Sequence, residues 1–257
     1  MSVPPVDDGL WCRRFHPAQD AADRLVCFPH AGGSASFYFP VSAALSPRVD
    51  VLAVQYPGRQ DRRSEPIVDD IGTLADRIHE ALKAWADRPL TFFGHSMGAV
   101  LAFEVARRLE RDGEGPVRLF ASGRRAPSRH RDENVHKRDD DGLIAELRAM
   151  SGTDSRLLGD DELLRMILPA LRGDYRAVET YRSEPGAAVR CPITALVGDA
   201  DPKTTLEEAE GWEEHTTGSF GLSVFPGGHF YLSSRSADVL EVLSEHFAGV
   251  AAAPRGA

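Results

Sequence analysis

Gly94-His95-Ser96-Met97-Gly98 is a G-x-S-x-G pentapeptide, and the chain on either side of it decides the fold. Upstream, Pro89-Leu90-Thr91-Phe92-Phe93 reads as a short buried strand. Downstream, the run from Ala99 to Leu109 reads as a helix. Ser96 therefore falls on a strand-to-helix turn so sharp that its flanks tolerate almost no side chain, which accounts for Gly94 and Gly98. Such a turn holds a serine hydroxyl in the open at the C-terminal end of a strand. It also places the Met97 N–H at a helix start, where developing negative charge is favoured.

Working outward, short apolar runs alternate with longer amphipathic ones. Strands are expected at Arg24–Phe28, Asp50–Gln55, Val117–Ala121, Ile193–Val197 and Leu222–Phe225. Helices are expected at Phe37–Leu45, Ile71–Trp85 and Ala237–Phe247. The alternation predicts an α/β fold with a mostly parallel sheet covered on both faces. Its 257 residues are read as one domain, 1–257.

One stretch breaks the rhythm. Residues 122–192 are far more chain than one crossover helix needs. A basic, polar linker, Arg124–Arg138, leads into two helical patterns, Gly142–Met150 and Asp161–Tyr181. Asp160, Asp161 and Glu162 suit the positive end of a helix dipole, and Pro169 is expected to kink or split the second pattern. Residues 124–186 are read as an inserted helical lid over the C-terminal edge of the sheet. Met150, Leu163, Met166, Ile167 and Leu171 are its candidate pocket-facing residues. In the linker, Arg124, Arg125, Arg129, Arg131, Lys137 and Arg138 form a charged run, read either as a solvated loop or as a steering surface for an acidic partner.

A serine hydroxyl needs a base, and the base needs an orienting carboxylate. After a nucleophile elbow these come in the order acid, then histidine. His229 follows the last strand in the open loop Pro226-Gly227-Gly228-His229, whereas His215 and His246 lie in a polar segment and within the closing helix. Gly198-Asp199-Ala200-Asp201-Pro202 follows the preceding strand. The spacing from Gly198 and the fixing effect of Pro202 favour Asp201 as the acid, with Asp199 as a turn cap. An oxyanion hole needs the Met97 N–H and a second N–H from the loop after the first buried strand, Phe28-Pro29-His30-Ala31-Gly32-Gly33. Ala31 is the first choice and Gly32 the second, and His30 is read as a structural hydrogen-bonder. His95 is either a packing residue or a pocket wall.

The set Phe28–Gly33, Gln55-Tyr56-Pro57-Gly58-Arg59, Gly94–Gly98, Gly198–Asp201 and Gly227-Gly228-His229 closely resembles the type II thioesterases, the editing enzymes of polyketide and nonribosomal peptide synthesis. The resemblance runs from about Leu25 to the closing helix. It implies an α/β-hydrolase fold with a helical lid, and the triad Ser96, Asp201 and His229 with Ala31 and Met97 as backbone donors. It also implies an acyl or peptidyl carrier protein as partner, acyl-phosphopantetheine as substrate, and no cofactor or metal. Without it, Tyr56-Pro57-Gly58 is a strand-ending turn and Arg59 a solvated charge.

Bulk properties set limits. A net charge of −9 argues against a general nucleic-acid binder. Cys12, Cys27 and Cys191 have neither CxxC nor metal-ligand spacing, and the N-terminus lacks the basic and apolar regions of a signal peptide. No apolar run is long enough to span a membrane, so a cytoplasmic location is expected. The alternatives are a serine esterase or lipase on small oxygen esters, a macrocyclising domain of a larger synthase, disfavoured by the N-terminal methionine, and a non-catalytic binding module.

Overall fold

In the computed structural model, residues 8–150 and 161–252 are described. Seven strands form one sheet: β1 (Cys12–Arg13), β2 (Asp23–Phe28), β3 (Val49–Val54), β4 (Leu90–His95), β5 (Arg118–Ser122), β6 (Ile193–Gly198) and β7 (Phe220–Phe225). Their order is β1-β3-β2-β4-β5-β6-β7. Only the pairing of β1 with β3 is antiparallel; every other neighbouring pair is parallel. Every residue of β2, β3 and β4 is buried, as expected of parallel strands covered on both faces.

The two-residue period of a strand divides the core. Val26, Phe28, Leu52, Val54 and Phe92 face one cluster, with Leu74 and Ile78 of the helix Ile71–Leu82 and the buried side of the helix Met97–Asp112. Leu25, Cys27, Val51, Ala53, Phe93 and Phe120 face the other, against Val239, Leu243 and Phe247 of the closing helix Ser236–Ala252. The Asp70 carboxylate accepts the Thr73 N–H at 2.7 Å and so caps the helix Ile71–Leu82, which ends in a 3-10 turn, Lys83–Trp85.

Between β5 and β6 the chain forms its own small core. Val135, Leu143, Leu147, Leu164, Leu168 and Leu171 pack together from a short turn, the helix Asp140–Ala149 and the helix Asp161–Thr180. The expected split at Pro169 does not occur: the helix Asp161–Thr180 runs through it. Pro169 lies on the exposed side, while Leu164, Leu168 and Leu171 hold the other side in place. Asp160, the first residue of the acidic helix start, lies outside the described residues.

Candidate active site

The elbow is built as its glycines require. Ser96 has φ +55° and ψ −118°, a conformation strained for an L-residue, and its N–H donates to the Ser122 carbonyl at 2.8 Å. A Cβ on Gly98 would stand 2.0 Å from the Phe28 carbonyl oxygen, and one on Gly94 would stand 2.2 Å from the Gly98 oxygen. Met97 opens the following helix, so its N–H is one of the amides left without an intrahelical acceptor.

The acid and histidine loops meet beside the elbow. Asp201 Oδ2 lies 2.9 Å from His229 Nδ1 and Oδ1 lies 3.1 Å away, with both side chains buried. Asp201 Oδ1 also accepts the Lys203 N–H at 2.8 Å. Asp199 points elsewhere and accepts the Gly227 N–H at 2.9 Å, bracing the loop that carries His229. Ser96 and His229 line one cavity of about 400 Å³. Among the described residues no hydrogen bond joins Ser96 to His229, and such contacts commonly tighten only around a substrate.

The other histidines are structural. His30, expected as a structural hydrogen-bonder, instead packs edge-on to Phe37 and Phe230 with ring centroids 4.8 Å away in each case, and its Nδ1 is buried without a partner among the described residues. Burial, then the nearby His229 and Arg59 charges, hold it down to about 3, so it stays neutral at ordinary pH. His95 is fully buried behind His229 and bonds Ser122 Oγ at 2.9 Å, which makes it a packing residue. His215 is bonded to the Ala187 carbonyl and His246 to Thr91.

Ala31 and Gly32 both line the cavity, but the Gly32 N–H already donates to Asp174 Oδ2 at 2.8 Å. The Ala31 N–H is thus the candidate donor left in this turn.

A family model described as "Thioesterase domain" matches residues 23–247. The chain belongs to the thioesterase family. It is 61% identical to the probable cadicidin biosynthesis thioesterase of Streptomyces griseus over 87% of this chain and 62% of that protein. The chain therefore spans less than two thirds of that relative's length. It is 53% identical to thioesterase PikA5 of Streptomyces venezuelae over 97% of this chain and 89% of that one. The structure of BorB, a type II thioesterase from the borrelidin biosynthetic cluster, matches with a TM-score of 0.88 at 54% identity, covering 93% of this chain and 98% of BorB.

In this thioesterase Arg59 is no solvated charge. It is 8% exposed, lies over the Tyr56 ring and forms an ion pair with Asp174 at 2.7 Å. Its neighbours hold the same loop: Tyr56 OH donates to the Pro29 carbonyl at 3.0 Å, and Gln55 Oε1 accepts the Ala35 N–H at 2.8 Å. Residues 55–59 thus grip residues 29–35 at two points directly, and at a third through Asp174, which accepts the Gly32 N–H. The sequence offered the recurring motif as a signal, but not Asp174, which stands 115 residues from Arg59.

Two further expectations change. Met166 is 67% exposed and points away from the cavity, and Leu171 is enclosed in the inserted core. Met150 and Ile167 do line the cavity, joined by Leu147, Tyr175 and Val178; the side chain of Leu163 lies outside what is described. Four residues of the basic run are held in ion pairs, while Lys137 is exposed. Arg125, Arg129, Arg131 and Arg138 pair with Glu133, Glu214, Glu208 and Glu146. Arg124 turns to the cavity wall, where burial and Arg125 disfavour its charge.

Proposed function

We propose that this thioesterase hydrolyses acyl groups from the phosphopantetheine arm of acyl or peptidyl carrier proteins, clearing aberrant units from a polyketide or nonribosomal peptide synthase. The contact of Asp201 with His229 in the cavity that holds the strained Ser96 carries this reading. The 54% identity to the type II thioesterase BorB supports an editing role.

In this mechanism His229 Nε2 takes the Ser96 proton as Oγ attacks the thioester carbonyl. Asp201 holds the Nδ1–H tautomer and stabilises the imidazolium. The oxyanion forms between the Ala31 and Met97 N–H groups, each such donor being worth about 3 kcal/mol in comparable sites. The C–S bond breaks and the pantetheine thiol leaves with the proton from His229. Water, deprotonated by His229, then attacks the acyl-enzyme; the C–O bond breaks, Ser96 Oγ takes that proton back from His229, and the free acid leaves. The chemistry calls for no metal or diffusible cofactor.

We read residues 124–186 as a lid within a single domain, because Leu147, Met150, Ile167 and Val178 give the cavity an apolar wall that suits an acyl chain. Among the described residues no helix is long and apolar enough to cross a membrane, and we place the enzyme in the cytoplasm with its carrier substrates.

The test is hydrolysis of a panel of acyl-carrier thioesters beside oxygen esters, with Ser96→Ala as control. Higher kcat/KM on carrier thioesters supports the reading. Faster turnover of oxygen esters, or activity that survives Ser96→Ala, overturns it.

A further inference from the structure

We propose that Asp174 is a positioning residue for the oxyanion hole, tying the inserted helix to the Ala31–Gly32 turn so that the hole is complete only while that helix is docked. This rests on the assignment of Ala31 as a donor under the proposed function.

The turn is held from both sides. Before Ala31, the Pro29 carbonyl accepts from Tyr56 OH at 3.0 Å. After it, the Gly32 N–H donates to Asp174 Oδ2 at 2.8 Å, and the Gly33 N–H closes the turn on the His30 carbonyl at 2.9 Å. The Gly32 N–H shares a peptide plane with the Ala31 carbonyl. Pinning that plane restricts the adjoining one, which carries the Ala31 N–H. Without the pin, the left-handed Gly32, at φ +74°, is the natural place for the turn to swing.

Both gripping residues come from one helix. Leu171 and Asp174 stand three positions apart on Asp161–Thr180 and so share a face. Leu171 Cδ1 lies 2.8 Å from where a Gly32 Cβ would sit, so the same helix face closes on the glycine's side and on its amide. Arg59 completes the device. Burial pushes the Asp174 carboxyl up, and the Arg59 guanidinium at 2.7 Å opposes this and keeps an acceptor in place. Arg59 Nε and Nη1 are buried without partners among the described residues, so the hydrogen bond from its side chain goes to Asp174 alone.

The experiment compares two double variants that each remove the buried charge pair, a change folds often tolerate when both partners go together. Arg59→Met with Asp174→Leu leaves no acceptor for the Gly32 N–H. Arg59→Met with Asp174→Asn leaves a neutral one. Thermal melts establish that both fold. Two rates are read on each: kcat and KM for an acyl thioester, and the limiting rate of Ser96 phosphonylation by a fluorophosphonate, which needs the same hole but no natural substrate.

The leucine variant should lose about tenfold or more in both rates with little change in KM, as expected when one oxyanion donor is misplaced. The asparagine variant should recover most of that loss. A folded leucine variant that keeps both rates overturns the proposal, as does a loss confined to KM or an asparagine variant no better than the leucine one. A wild-type enzyme that is phosphonylated at Ser96 but hydrolyses no thioester overturns the proposed substrate instead, and the phosphonylation rates then decide the tether by themselves.

Discussion

Asp201 meets the buried Nδ1 of His229 at 2.9 Å, while Asp199, two residues earlier, spends its carboxylate on the Gly227 N–H. One short loop thus supplies an acid to the imidazole and a brace to the loop that carries it. The two aspartates are expected to differ sharply in their effect on turnover. Asp201→Asn should lower kcat by about 10⁴-fold by mis-setting the His229 tautomer. Asp199→Asn keeps an acceptor for Gly227 and should cost less than about tenfold, since it removes no group that touches the imidazole. Steady-state kinetics on an acyl thioester checks both, and a reversal of the order would move the acid to Asp199.

The cavity wall separates two methionine-region positions that lie close in sequence. Ile167 lines the cavity and Met166 is exposed. Ile167→Phe should lower kcat/KM for long acyl chains more than for acetyl or propionyl, by roughly the 10–200-fold that a methylene-scale misfit can impose. Met166→Phe should leave the chain-length profile unchanged. A panel of acyl thioesters of increasing length reads this directly, and equal losses at every length would show that Ile167 does not set chain preference.

Arg125 is 2% exposed and paired with Glu133 at 2.6 Å, so it belongs to the fold rather than to a docking surface. Arg125→Ala should destabilise by about 1.5–3 kcal/mol, because it removes one of the two charged hydrogen-bond partners of Glu133 and leaves only Lys203. Activity on carrier-bound and small thioesters should fall together as the folded fraction falls. Denaturant titration measures the first effect. Loss on the carrier substrate alone, at unchanged stability, would return Arg125 to a docking role.

Glu133 sets an acid limit. Burial alone would raise its carboxyl, but hydrogen bonds and charge from Arg125 and Lys203 outweigh it and hold the group down to about 2, against 4.5 as an isolated side chain. The unfolded chain therefore takes up this proton at higher pH than the folded one. The stabilisation is fully present above about pH 4.5 and is lost as pH falls toward 2. Glu133→Gln should flatten the fall in melting temperature across that window while lowering stability at pH 7. An unchanged acid slope would mean that other carboxylates govern acid unfolding.

The inserted segment shows where sequence reading reached and where it stopped. The helical pattern of Asp161–Tyr181 was legible, because an apolar period of three and four is local. Whether the stripe faced the cavity was not: Leu171 is enclosed in the insertion's own core, and its neighbour Met166 faces solvent. Pro169 read as a kink or split because a missing N–H is a local fact; the packing that carries the helix through it comes from other segments.

The sequence by itself determined the elbow at Ser96, the order of acid and histidine after it, and the parallel sheet that brings their loops to one edge. Each rests on short-range chemistry: glycines where backbones nearly touch, apolar runs of strand length, a histidine in an open turn. Only the tertiary structure decided that Arg59 is buried against Asp174, that the Gly32 amide is taken and the Ala31 amide left, and that Arg125, Arg129, Arg131 and Arg138 are paired with Glu133, Glu214, Glu208 and Glu146. These are pairings between side chains far apart along the chain. A residue's own neighbours fix its backbone, but its charge partner is fixed by whatever the fold carries next to it.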